Sequence, residues 1–195
     1  MAVSGGMPTN RKTGANKLLM YSIAPDALGS ANDIYPGRGL ADTLPESLVA
    51  AGATGVMLNH VEKPLEFDVL AETIKRADEV GLATIVCADT VEDIINIAKL
   101  GPNLLVAEPT ELIGTGQTSD ANYVTQTIEQ VRAINPEIMV LQGAGISNGQ
   151  DVYNTIKLGA QATGCTSGII KASDPYAMVE EMLYNLRKAW DDIHK

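Results

Sequence analysis

Apolar residues gather along this chain into short β-rich runs, each followed by a loop and then by a stretch with helical periodicity. The runs begin near Leu18 (LLMYSI), Thr54 (TGVMLN), Leu82 (LATIVC), Asn103 (NLLVAE), Glu137 (EIMVLQ) and Gln161 (QATGCTS). Continuous apolar strands of this kind lie in parallel sheets covered by helices. Their starts are 21 to 36 residues apart, which suits βα units. Between them, 65–80 carries Leu70, Ile74 and Ala77 at helical spacing and stops at Gly81. The stretch 91–100 ends at Gly101-Pro102, and 120–134 aligns Val124, Ile128 and Val131. The stretch 150–158 follows Asn148, an N-cap residue, and stops at Gly159. Asp174-Pro175 opens the last helix as N-cap and first helical residue, with Met178, Met182 and Leu186 inward. A shorter helix, 45–51, ends at Gly52.

Strict alternation leaves two architectures, an open doubly wound sheet or a closed (β/α)8 barrel. Residues 1–16 show no periodicity and are expected to form a flexible tail, with 17–195 a single domain. A chain of 195 residues that is 45% hydrophobic suffices for one sizeable core. No apolar run approaches the length of a membrane span, and the N-terminal stretch has no apolar signal region, so no membrane association and no secretory signal are expected. Cys87 and Cys165 have no metal-type spacing, so no metal site and a reduced, cytoplasmic setting are expected. The net charge of −10 argues against nucleic-acid binding. It leaves room for a small anion, because backbone amides at loops and helix N-termini bind phosphate whatever the net charge. Neither GxGxxG nor GxxxxGK[ST] occurs, so no nucleotide cofactor is expected.

In both architectures the chemistry collects at the C-terminal ends of the strands. TGVMLN is followed by His60-Val61-Glu62. A lone histidine there is commonly structural, yet it stands at the end where parallel sheets place their reactive groups. LLVA is closed by Glu108, then Pro109 and, five residues later, Gly114-Thr115-Gly116. Proline at one end and glycines at the other suit a rigid-tipped lid, and they equally suit an ordinary turn after a helix-capping acid. The last two strands run into Gly143-Ala144-Gly145-Ile146-Ser147-Asn148-Gly149 and Thr166-Ser167-Gly168, where backbone amides can cradle a phosphate.

These residues carry a resemblance. The strings LNHVE, VCAD, AEPTELIGTG, QGAGISNG and TSGIIKASDP are similar, in order and over about 51–186, to triosephosphate isomerases, closest to the short archaeal-type branch. The resemblance implies a reduced or incomplete (β/α)8 TIM barrel of about six βα units. It implies His60 as the catalytic histidine, Glu108 as the catalytic base and Glu62 as the acidic residue beside the histidine. Gly114, Gly145, Ser147, Ser167 and Gly168 then fall at or near the phosphate contacts, and Cys87 matches the family's cysteine after its fifth strand. The activity implied is interconversion of dihydroxyacetone phosphate and glyceraldehyde 3-phosphate through an enediolate, with no cofactor. The pairing of a glutamate base with a neutral histidine is the known one of this family rather than something spacing reveals.

LLMYSI aligns with the family's third strand. Two further units at roughly 29 residues each, the mean from Leu18 to Gln161, exceed the 17 residues upstream. The expectation is that the family's first two units are missing or replaced. Their Asn-x-Lys motif has a counterpart in Asn10-Arg11-Lys12, which makes Lys12 a candidate cation, with Lys63, Lys171 and Arg38 as alternatives. Exposed strand edges would favour a homo-oligomer. A small phosphorylated triose is the expected partner. The competing expectations are a non-catalytic phosphate-binding protein and a module that needs another chain.

Overall fold

The computed structural model describes residues 2–4, 20–21 and 44–195. Lys12 and Arg38 lie outside the described residues. The chain divides into two compact units. The smaller comprises Met7–Cys87 and Leu100–Leu104, the larger Met1–Gly6, Ala88–Lys99 and Leu105–Lys195.

In the smaller unit, strand β2 (Met20–Tyr21) pairs in parallel with β3 (Gly55–Leu58), which pairs in parallel with β4 (Ala83–Ala88). A Cβ at Gly55 would sit 2.9 Å from the Ala83 carbonyl oxygen, so only glycine allows the strands to approach as they do there. Helix α1 (Pro45–Ala50) precedes β3, and α2 (Phe67–Glu79) connects β3 to β4. Leu70, Ile74 and Ala77 form the buried stripe of α2, as the periodicity predicts, and Val56, Leu58, Leu82, Ile85 and Val86 are buried with them. Arg76 is buried as well. Its guanidinium pairs with Glu46 of α1 and Glu79 of α2, so the charge is not left unpaired. At the start of β4 the Asn103 side chain accepts from the Thr84 amide at 2.8 Å, and the Asn103 amide donates to the Thr84 hydroxyl at 3.2 Å.

In the larger unit the order is β1 (Ala2–Ser4), α3 (Val91–Lys99), β5 (Leu104–Ala107), a 3-10 turn (Thr110–Leu112), α4 (Ala121–Ile134), β6 (Met139–Gln142), α5 (Gly149–Lys157), β7 (Ala162–Gly164), α6 (Ser167–Ile170) and α7 (Pro175–Ile193). Strands β6 and β7 are parallel, whereas β1 runs antiparallel to β7 with Val3 opposite Thr163. The expected tail thus includes one short strand, and the other residues of 1–16 lie outside the described ones. Side-chain caps set the starts of α3, α4, α5 and α7, whereas α6 has none. Thr90 and Asp93 bond reciprocally before α3. Asp120 accepts from the Tyr123 amide, Asn148 from Asp151, and Asp174 from Tyr176 and Ala177. Val124, Ile128 and Val131 are buried on α4. Helices α5 and α7 close over Ile146, Val152, Ile156, Met182, Leu186 and Ala189, with Met178 at the margin of that cluster. The sequence reading did not anticipate α6 or the 3-10 turn.

Leu105, wholly buried in β5, tests the core. Leu105→Ala should destabilise the chain by about 2–5 kcal/mol. Ile170→Ala, on an exposed side chain, should change stability by less than about 0.5 kcal/mol. Denaturant melts of the two variants measure both.

Candidate active site

The candidate residues fall in both units. His60 and Glu62 belong to the smaller one, and Glu108, Gly114, Gly145, Ser147, Ser167 and Gly168 to the larger.

In the smaller unit, β3 ends at Leu58 and the chain turns sharply at Asn59, whose φ is +58°. Asparagine tolerates that left-handed conformation because its short amide bonds locally. Here the Asn59 side-chain NH2 donates to the Cys87 carbonyl at 3.0 Å, and its carbonyl oxygen accepts from the Leu65 amide at 2.9 Å. Both ends of the loop carrying His60 are therefore fixed by one side chain. His60 is half-buried. Its Nδ1 accepts from the Glu62 amide at 3.2 Å and lies 3.7 Å from the Glu62 carboxylate. An amide N–H donates only to an unprotonated ring nitrogen, so the tautomer that fits this bond carries its proton on Nε2. Cys87 is buried at the end of β4, and Lys63 follows in the same turn, its amide donating to the His60 carbonyl at 2.8 Å.

In the larger unit, the Glu108 amide donates to the Ala88 carbonyl at 3.0 Å, so the residue is seated by the strand ladder itself. Its carboxylate lies over Gly143. A Cβ on that glycine would be 3.2 Å from Glu108 Oε1. Pro109 is buried, and the loop after it folds on itself. The Leu112 carbonyl accepts from the amide of Thr115 at 3.2 Å and its hydroxyl at 2.8 Å, and that hydroxyl in turn accepts from the Gln117 amide at 3.1 Å. Gly114 and Gly116 have φ of +73° and +74° and are exposed.

The two glycine–serine loops are tightly packed. A Cβ at Gly145, where φ is +71°, would overlap the Gln117 carbonyl, and one at Gly168 would lie 2.8 Å from the Ile146 oxygen and the Ser147 Cα. Glycine at these positions thus brings the end of the lid and the Ser167–Gly168 turn against the same loop. The Ser147 amide and hydroxyl both donate to the Asp151 carboxylate, at 3.0 and 2.9 Å, and the Gly149 amide donates to Glu181 at 2.8 Å. These donors therefore serve as a cap for α5. Beside the loop, burial raises the Cys165 thiol above its usual range. Lys171 is exposed at the end of α6. Among the described residues no group of His, Cys, Asp and Glu is arranged to hold a metal.

Gln117 and Asp151 were not singled out by sequence, and neither the anchoring bonds of Asn59 nor the contact of Gly143 with Glu108 was read from it. Asp151 had a readable signal, a carboxylate four residues after Ser147 in the first turn of a helix. The contacts of Gly143 with Glu108 and of Gly145 with Gln117 join distant segments and left none.

A family model described as triosephosphate isomerase matches residues 41–182. A triosephosphate isomerase of Sulfurisphaera tokodaii is 37% identical over 151 residues, covering 76% of this chain and 66% of that protein. One of Methanosarcina barkeri is 41% identical over 169 residues, covering 85% and 73%. The chain spans just under two thirds of the first of these relatives. The crystal structure of 3-hexulose-6-phosphate synthase from Salmonella typhimurium superposes with a TM-score of 0.57 at 20% identity, over 74% of this chain and 67% of that one, a likeness of fold alone. Together these describe an incomplete TIM-barrel-like α/β fold.

The close contact at Gly145 yields a test. Gly145→Ala would force a left-handed alanine into the Gln117 backbone, so that end of the loop after Pro109 must move. Backbone amide chemical shifts of 114–120 should change while those of α7 do not.

Proposed function

The chain belongs to the triosephosphate isomerase family, and on that premise we propose that it interconverts dihydroxyacetone phosphate and glyceraldehyde 3-phosphate. The observation that carries the reading is the bond from the Glu62 amide to His60 Nδ1. It presents Nε2–H as a neutral donor, which is what an enediolate oxygen needs. A neutral imidazole polarises the carbonyl and can pass its proton without first having to be discharged. Glu108, seated on the strand ladder, takes the proton from one substrate carbon and returns it to the next. Gly145, Ser147, Ser167 and Gly168 supply the backbone amides for the phosphate, and the self-bonded lid tip with Gly114 closes over it. Phosphate binding then contributes to catalysis by excluding water from the enediolate. Ser147 meets the anion by exchanging its bonds to Asp151 for bonds to phosphate oxygens. The candidate supporting cations on this reading are Lys12, Lys63, Lys171 and Arg38.

A small phosphorylated triose is the partner of this reading, with no cofactor and a cytoplasmic setting. No helix of the described residues is long and apolar enough to cross a membrane. A homo-oligomer belongs to the same proposal. Tyr176, Leu183 and Trp190 are exposed one heptad apart on α7. Glu180 and Arg187 flank them, and Arg187, which bonds Asp191 on its own helix at 2.9 Å, would exchange that partner for Glu180 across a two-fold axis with a second, antiparallel α7. Multi-angle light scattering of the full chain should give a dimer or larger. Leu183→Glu should lower the mass to that of a monomer.

A coupled assay of glyceraldehyde 3-phosphate conversion tests the activity. Glu108→Gln should lower kcat by on the order of 10²–10⁴, and His60→Gln by about 10²–10³. Gly114→Pro should lower kcat strongly with little change in melting temperature. Proline cannot adopt a φ of +73°, and the loop is exposed. Phosphoglycolate binding by calorimetry without turnover would favour a phosphate-binding protein instead.

A further inference from the structure

Glu108 is followed directly by the buried Pro109 and by Thr110, so the direction in which its side chain points depends on how these residues are held. Two bonds hold them. The Glu108 amide donates to the Ala88 carbonyl, and the Thr110 amide donates to Asp89 Oδ1 at 2.8 Å. The base is thus flanked by anchors on two successive residues, Ala88 and Asp89. At the other end of the lid the chain enters α4 through Asp120, which caps the Tyr123 amide at 2.9 Å. The Tyr123 hydroxyl reaches back and donates to the Asp89 carbonyl at 3.0 Å. Asp89 therefore receives one bond from each end of the lid, through its carboxylate at the entrance and its backbone at the exit.

The surroundings keep the phenol protonated. Burial first, and then the charges of Asp89, Glu111, Asp93 and Glu108, push the Tyr123 phenol well above its usual range. It stays a hydroxyl donor at any pH at which the chain works. Between the two anchors the loop makes internal bonds at Leu112 and Thr115. It is a folded tip between two fixed ends, with the left-handed glycines 114 and 116 near the exit.

We propose that Asp89 and Tyr123 are positioning residues that fix both ends of the lid on one point and so aim the Glu108 carboxylate; the inference rests on the isomerase reading above. Asp89 acts directly on the segment bearing the base. Tyr123 acts one step further away, by holding Asp89. Neither touches the reacting atoms.

The full chain is tested as Asp89→Ala, Asp89→Asn and Tyr123→Phe, by kcat and KM with glyceraldehyde 3-phosphate and by hydrogen exchange at the Thr110 amide. Asp89→Ala should lower kcat on the order of tenfold to a hundredfold, as an ångström of misplacement does, with KM almost unchanged and Thr110 exchange accelerated. Asp89→Asn keeps an acceptor oxygen and should restore most of kcat and the slow exchange. Tyr123→Phe should lower kcat by a smaller factor with the same sign in exchange. Melting temperatures should move by no more than about 4 °C. Unchanged kcat and exchange in Asp89→Ala and Tyr123→Phe overturn the proposal, and so does equal loss in the alanine and asparagine variants. Absence of isomerase activity in the unaltered chain sinks the isomerase reading and the positioning role together. An active chain with indifferent variants removes the positioning role alone.

Discussion

A parallel strand satisfies its backbone amides only as far as its neighbour extends, and the candidate site residues of this chain lie just beyond that limit. Past the end of the ladder, each N–H needs another acceptor or it is lost to water. Short polar side chains supply them. Asn59 does so beyond β3, Asp89 beyond β5 by accepting from Thr110, and Asp151 beyond β6 by accepting from Ser147. The same device works at strand beginnings, where Asn103 accepts from Thr84 and Gln161 from Val140 at 3.0 Å. Each bond is modest, about 1 kcal/mol net. Its value lies in direction, since it converts a loop that could wander into one that presents a given atom.

Glycine plays the complementary part in the larger unit. Gly143 lies under the Glu108 carboxylate, Gly145 under the lid end, and Gly168 against Ile146 and Ser147. A methyl group at Gly145 or Gly168 would push apart backbones that are in contact. These loops are rich in glycine because segments distant in sequence meet there, which is a different reason from the turn geometry at Gly114 and Gly116, where no neighbour is close.

This difference explains what could be read from the sequence. The alternation of strands and helices was legible because burial imposes periodicity, and Leu70, Ile74, Val124, Ile128 and Val131 are buried where the pattern placed them. Caps at Asn148 and Asp174 were legible because capping is local. His60 and Glu108 could be picked out as strand-end residues, but their roles came from resemblance, since a histidine after a strand has many uses. The bond from Glu62 to Nδ1 is also local, yet spacing does not distinguish it from an exposed acid near a ring. Asp89 and Tyr123 were illegible because they are 34 residues apart and meet only through a backbone carbonyl.

Charge then constrains how the phosphate loops can work. The chain carries a net −10, so long-range attraction does not bring a dianion to it, and the local amides must do so. Yet those amides are not waiting. Ser147 is bonded to Asp151 and Gly149 to Glu181, so the amides at the start of α5 already have carboxylate acceptors. On the isomerase reading, binding at Ser147 is an exchange of one anion for another. The bonds gained by the phosphate are offset by those lost from Asp151, and the surplus must come from Ser167, Gly168 and the closing lid. Substrate phosphate held without the lid would therefore be held weakly. On that reading, coupling of binding to closure would follow from the capping of α5, and lid geometry would become the quantity on which the rate depends.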